Sequence, residues 1–205
     1  MYLTRTPELL RRLLPGYTWT RPTAGRVLYL TFDDGPIPGV TPWVLATLAE
    51  YGARATFFCV GDNVRKHPDV LRAVRAGGHA VGNHTYHHLD GWTTPTQRYL
   101  RDVERCAAVL PTKLFRPPYG RLRPGQARRL RAAYRLVMWD VLSGDFDEAL
   151  SGEACLRNVT TAAGPGSIVV FHDSRKAAAR LRYALPRVLR HFDALGYRFD
   201  ALPDP

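Results

Sequence analysis

Two adjacent carboxylates, Asp33 and Asp34, follow directly on the apolar run 28–32 and precede Gly35-Pro36. Side chains alternate along a strand, so neighbours diverge unless the chain turns at once, and Gly-Pro favours such a turn. Both groups can then face one cavity in different roles, such as metal ligand and general base. The same residues also fit an Asp-Gly turn with a capping aspartate. Further on, Gly82-Asn83-His84-Thr85-Tyr86-His87-His88 carries imidazoles four residues apart. If the chain enters a helical turn there, His84 and His88 share a face and can grip one ion, while His87 points elsewhere. With Asp34 the set becomes two histidines and one aspartate, and three protein ligands leave a position open for water, as catalytic zinc sites require.

His172 ends Ser167-Ile168-Val169-Val170-Phe171-His172-Asp173, the strongest buried-strand signal in the chain. An imidazole emerging from such a run is partly desolvated and well held, which suits a proton donor or acceptor near neutral pH, or equally a hydrogen-bonded core histidine. In Phe115-Arg116-Pro117-Pro118-Tyr119-Gly120 two prolines stiffen the backbone beyond an arginine. Such a loop can fix a guanidinium and a backbone amide in place, or simply turn the chain.

The elements that must position these groups read as short apolar runs alternating with amphipathic stretches. Candidate strands are 27–32, 55–60, 79–82, 114–116, 136–141, 168–171 and 197–202. Candidate helices cover 41–51, 68–76, 96–110, 124–134, 153–163 and 177–195. This alternation predicts an α/β fold with a mostly parallel sheet, closed as a barrel or open and doubly wound. No glycine-rich phosphate loop follows the first strand, which weakens the nucleotide-binding alternative. In a barrel, reactive groups gather at the carboxyl ends of the strands. Here Asp33 and Asp34, His84 and His88, Arg116, Asp145 and His172 follow five different apolar runs.

The chain has 205 residues, 45% apolar and 23% charged, enough for one globular domain that needs no metal merely to fold. A metal, if bound, is then catalytic rather than structural. The net charge is +11, and all but three of the 29 basic residues are arginine. Guanidinium suits phosphate and carboxylate partners, so nucleic acid, anionic envelope polymer and acidic membrane all enter the list, beside a merely solvated surface. Cys59, Cys106 and Cys155 have no paired spacing.

The division expected is an N-terminal helix and lead-in over 1–26 and a single catalytic domain over 27–205. In the helix Thr6 serves as cap, and Leu9, Leu10, Leu13 and Leu14 share a face that packs on the domain. With Arg5, Arg11 and Arg12 the same segment also suits an anionic membrane surface. It is too short to span a bilayer, and no secretory apolar core precedes it.

Together Thr31-Phe32-Asp33-Asp34-Gly35-Pro36, His84-Thr85-x-x-His88, Arg116-Pro117-Pro118-Tyr119-Gly120, Asp145 after Trp139, and Val170-Phe171-His172-Asp173 resemble the five ordered motifs of the polysaccharide deacetylases, the fourth carbohydrate esterase family. The resemblance implies a distorted parallel (β/α) barrel of about seven strands. It implies Asp34, His84 and His88 as ligands of a divalent metal, usually zinc, with cobalt and nickel as alternatives. Asp33 would be the general base, His172 the general acid, and the Tyr119 amide an oxyanion donor. Arg116 would tether Asp33, Asp145 would orient His172, and Val170 would line a pocket for the acetyl methyl. Phe146 stands where many members carry Trp, so it can wall the glycan groove but has no indole donor.

The implied reaction removes N-acetyl groups from a glycan containing N-acetylglucosamine, such as peptidoglycan or chitooligosaccharide. O-deacetylation of a xylan-type polymer is the second enzymatic reading. A noncatalytic module for anionic polymer is the third. The arginines are scattered over several helices without a nucleic-acid-binding signature, so nucleic acid is not expected as a partner. Peripheral contact with an anionic envelope surface stays open, as does oligomeric state. The N-terminus reads as cytoplasmic, whereas the family resemblance points to the cell envelope.

Overall fold

The computed structural model describes residues 3–203, so the first two and last two positions of the expected division lie outside the described residues. The central strand β1 (Val27–Asp33) is buried along its whole length. Its side chains alternate between two apolar environments. Leu28, Leu30 and Phe32 enter a large cluster with Val44, Phe171 and Leu185, whereas Val27 and Tyr29 enter a smaller one with Phe58, Leu114, Val137 and Ile168. Strands buried on both faces are what a parallel sheet covered by helices requires. Each such side chain contributes roughly 1.5–3 kcal/mol relative to exposure.

Beside β1 lie β2 (Thr56–Cys59), β3 (Ala80–Asn83), β4 (Leu114–Phe115) and β5 (Arg135–Leu136) on one side, and β7 (Ile168–His172) and β6 (Val141–Leu142) on the other. The order is β5-β4-β3-β2-β1-β7-β6, all pairs are parallel, and β8 (Arg198–Phe199) pairs with the start of β1. Seven strands thus curl into the expected distorted barrel. The sequence suggests one strand over 136–141, but the chain breaks it: β5 and β6 occupy opposite ends of the sheet, and residues 137–140 carry the chain between them. Neither end bonds the other. Instead the lead-in enters this seam, with Thr18 paired to Val137 and Arg5 to Val141.

The helices are α1 (Glu8–Leu13), α2 (Thr41–Ala49), α3 (Gly61–Lys66), α4 (Pro68–Ala76), α5 (Thr96–Val109), α6 (Pro124–Leu130), α7 (Gly152–Thr160) and α8 (Ala178–Ala194). Helix α3 has no counterpart in the sequence reading. Helix α1 corrects that reading in two respects. Thr6 does not cap it: the Thr6 hydroxyl donates to the Trp139 carbonyl at 2.7 Å, and Pro7 occupies the capping position. Its leucine face does not pack on the domain either, since Leu9 and Leu13 are 69% and 67% exposed. Arg11 lies on the inward side instead, 3.3 Å from the buried carboxylate of Asp140.

Candidate active site

The sheet register sets the first part of the site. Asp33 at the end of β1 is the register partner of His172 at the end of β7, so the two groups stand side by side on neighbouring strands. Both share the parity of Val27, Tyr29 and Ile168, which places them above the smaller apolar cluster. Between that cluster and Asp33 lies Arg116, fully buried, its guanidinium 4.1 Å from the Phe58 ring centre.

A buried charge needs every donor satisfied. Arg116 donates through Nη1 to Asp33 Oδ1 and to Thr31 Oγ1, each at 2.7 Å, and through Nη2 to the Met138 carbonyl at 2.8 Å. Nε reaches the Val137 carbonyl at 3.3 Å. One side chain therefore ties β1 to β4 and to the 137–140 link while holding one oxygen of Asp33.

His172 is held from the other side. Asp145 accepts from the His172 backbone N–H and pairs with its Nδ1, both at 2.8 Å, which leaves Nε2 facing the cleft. Burial works against the charged imidazole, but Asp145 and the carboxylates of Asp34 and Asp33 outweigh it and raise the His172 pKa to about 9. The Phe146 ring packs edge-on against His172 with centroids 5.2 Å apart. Val170, two residues earlier in β7, is buried on the same side of the strand.

The second part is the Asp34, His84 and His88 cluster. Their ligand atoms lie within 4.8 Å of one another, the one group of this kind among the described residues. Asp34 Oδ1 is 3.1 Å from His88 Nε2 and 3.8 Å from His84 Nε2. Two ligands about 2 Å from one ion in tetrahedral geometry stand roughly 3.4 Å apart, so the spacing suits a shared ion. A second observation tests the fit: Asp34 Oδ1 is buried without a hydrogen-bond partner, a costly state that a cation relieves.

The protonation states agree. Burial pushes the His84 pKa down to about 4, so the imidazole is neutral at pH 7. Its Nδ1 lies 2.7 Å from the Arg116 carbonyl, which fixes the proton there and frees Nε2 for a ligand bond. For Asp34 burial opposes ionisation, yet His88, His172 and His84 together hold its pKa below the ordinary carboxylate range.

The histidine pair is not on a helix. After β3 the chain forms an irregular loop in which Thr85 and His88 have φ of 62° and 56°. Asn83 Oδ1 accepts from the Thr85 N–H, and Asp102 on α5 accepts from the Tyr86 and His87 N–H groups and pairs with His87 Nδ1 at 2.5 Å. Local bonding thus replaces the expected helical turn, while His87 still points away from the cluster. Asp34 and Tyr119 have φ of 82° and 60°, so all four non-glycine residues with positive φ among those described belong to this site or adjoin it. Such outliers persist only where surroundings over-determine them. The Asn63 side chain on α3 donates to the Asp34 carbonyl at 2.8 Å, and Tyr119 lays its ring 4.8 Å from that of His88.

Asp173 completes the frame. It accepts from the Gly35 N–H at 3.0 Å and from the Thr41 hydroxyl at 2.5 Å. A Cβ on Gly35 would stand 2.0 Å from that carboxylate, which is why glycine is required there. Burial raises the Asp173 pKa to about 7. Asn63 and Asp102 escape the sequence reading, and Asp173 enters it only inside a motif with no role of its own, because an Asn or Asp in a helix or after a histidine carries no separate signal. Burial also raises the thiols of Cys59, Cys106 and Cys155, leaving them unreactive core groups.

The architecture, with reactive groups on five strand ends around a two-histidine, one-aspartate cluster, defines a metal-dependent hydrolase on a parallel barrel. Comparison with known proteins places it further. Residues 20–137 match the family described as polysaccharide deacetylase. A peptidoglycan-N-acetylglucosamine deacetylase of Bacillus cereus is 34% identical over 93% of this chain and 94% of its own length. A chitooligosaccharide deacetylase of Rhizobium leguminosarum bv. trifolii is 36% identical over 72% of each chain. Among solved structures, a peptidoglycan N-acetylglucosamine deacetylase in complex with 4-naphthalen-1-yl-N-oxidanyl-benzamide superposes with a TM-score of 0.88 at 28% identity, covering 97% of this chain and 95% of that one. The chain belongs to the polysaccharide deacetylase family, whose members depend on a metal.

Proposed function

We propose that the protein removes N-acetyl groups from a glycan containing N-acetylglucosamine, of the peptidoglycan or chitooligosaccharide kind, with Asp34, His84 and His88 holding zinc. The observation that carries this reading is the placement of two independently held proton carriers, Asp33 with Arg116 and His172 with Asp145, on neighbouring strand ends beside one partly buried metal-ligand cluster. The named activities of the Bacillus cereus and Rhizobium relatives support the substrate class. Two histidines and one carboxylate suit zinc, with cobalt and nickel as alternatives.

Amide hydrolysis needs an activated water, a stabilised oxyanion and a proton for the departing amine. The bound ion supplies Lewis acidity toward the acetyl carbonyl and brings the pKa of water to about 7. Asp33 takes the proton of the attacking water, because Arg116 holds one of its oxygens and orients the carboxylate. The Tyr119 amide, in its left-handed turn beside His88, donates to the developing oxyanion. His172 hands its proton from Nε2 to the amine while Asp145 holds Nδ1. Val170 closes the pocket for the methyl group, and Phe146 walls the sugar groove beside the acid.

The test measures acetate release by zinc-loaded and chelated protein from N-acetylated chitooligosaccharide, peptidoglycan and acetylated xylan. Zinc-dependent release from one of the first two is expected. Release from xylan alone would replace the reading with an O-acetyl esterase, and no release from any substrate would overturn catalysis.

A further inference from the structure

Helix α1 is inverted relative to an ordinary amphipathic surface helix. Its inward side is polar: Arg11 faces the buried Asp140, and just before the helix the Thr6 N–H and hydroxyl donate to the carbonyls of Asp140 and Trp139. Its outward side carries Leu9 and Leu13, about two-thirds exposed, beside the exposed Glu8–Arg12 pair, with Leu10 and Leu14 about two-fifths exposed. Leu3, 63% exposed, precedes it. A helix held in this orientation by three named polar contacts presents leucine to the outside as its stable state, at a cost that a covering partner would remove.

The patch continues beyond the helix. Leu10, Leu13 and Leu14 line a groove of about 700 Å³ together with Trp92 and Tyr119, 57% and 59% exposed. Nine large apolar side chains among the described residues are exposed, and six of them line this groove, so the patch is concentrated rather than scattered. Its rim is cationic. Arg131 lines it, Arg121 lies over the Trp92 and Tyr119 rings and Arg123 donates to the Trp92 carbonyl, while Asp90 pairs with Arg121 and Glu8 with Arg12 on the helix, in a chain of net charge +11.

The charge decides between occupants. A second copy seated on this face would set the same arginines against one another, a like-charge contact that opposes association. A ligand confined to the groove would leave Leu9 uncovered, because Leu9 stands outside it. An anionic lipid surface satisfies both halves, leucine into the acyl boundary and arginine on the headgroups. We propose that helix α1 and the groove rim dock this protein on an anionic phospholipid bilayer. Tyr119 belongs to the groove and lies against His88, so docking sets the catalytic cleft beside the membrane surface.

The experiment is co-sedimentation of the zinc-loaded full chain with vesicles of phosphatidylcholine alone and of equal parts phosphatidylcholine and phosphatidylglycerol, compared with L9S/L13S. Serine changes no charge, so the variant isolates the apolar contribution. The wild type should bind the phosphatidylglycerol vesicles roughly tenfold or more tightly than the neutral ones, and L9S/L13S should lose roughly tenfold or more of that binding. Its circular dichroism and its acetate release from soluble chitooligosaccharide should match wild type, so vesicle binding is read independently of turnover. Failure of the wild type to bind, or equal binding by L9S/L13S, overturns the proposal. So does a wild-type dimer in sedimentation velocity that L9S/L13S converts to monomer, which would assign the face to a second copy.

Discussion

At the scale of single residues, the site separates holding a metal from moving a proton, and variants should separate them too. His172→Ala removes the acid but none of the Asp34, His84 and His88 cluster, so zinc stoichiometry should stay at wild type while kcat falls by about 10²–10⁴. His84→Ala removes a buried ligand and should lose zinc itself, measured by elemental analysis after gel filtration. The pH profile reports the acid. His172 donates only while protonated, and its pKa in the metal-free protein is raised to about 9, so kcat/KM should fall on the alkaline side at or below that value, because a cation beside Asp34 offsets part of the carboxylate field. In Asp145→Asn burial is no longer outweighed by the paired carboxylate, so the alkaline limb should move to lower pH by roughly one unit or more. An unmoved limb would assign it to another group.

At the scale of elements, the site depends on contacts between segments far apart in sequence. Asp102 on α5 collects two loop N–H groups and one imidazole. Asp102→Ala should weaken zinc affinity about 10–100-fold and cost about 1–3 kcal/mol of stability, read by metal titration and by denaturant unfolding. This division also marks what was legible beforehand. Asp33, Asp34, His84, His88, Arg116 and His172 were visible because each follows an apolar run or a rigid turn, and ends of parallel strands converge. Asp102, Asn63 and the role of Asp173 were not, because their work is to accept or donate to backbone groups whose direction exists only after folding. The histidine spacing suggested a shared helical face, and the ligands do converge, but through two left-handed residues whose φ no periodicity encodes. The run 136–141 reads as one strand because five of its six residues are apolar. Hydrophobicity cannot report that Val137 and Met138 turn their carbonyls toward the Arg116 guanidinium instead of joining a ladder.

At the scale of the whole molecule, the lead-in is bonded into the barrel. Its backbone bonds reach the 136–142 stretch at four points: Thr6 N–H to Asp140, Thr18 N–H to Leu136, Met138 N–H to Thr18 and Leu142 N–H to Thr4. At about 1 kcal/mol each, removing residues 1–19 should lower Tm by roughly 5–15 °C in scanning calorimetry. An unchanged Tm would show that the seam is stable without it.

The seam has a mechanical consequence. A continuous ladder makes a barrel a hoop that resists ovalisation, but here the hoop is interrupted, and the 137–140 link carries the chain across the gap. That same link holds the Val137 and Met138 carbonyls that grip Arg116, and Arg116 grips Asp33. Displacement at the seam is therefore transmitted through one rigid guanidinium to the proposed base on the central strand.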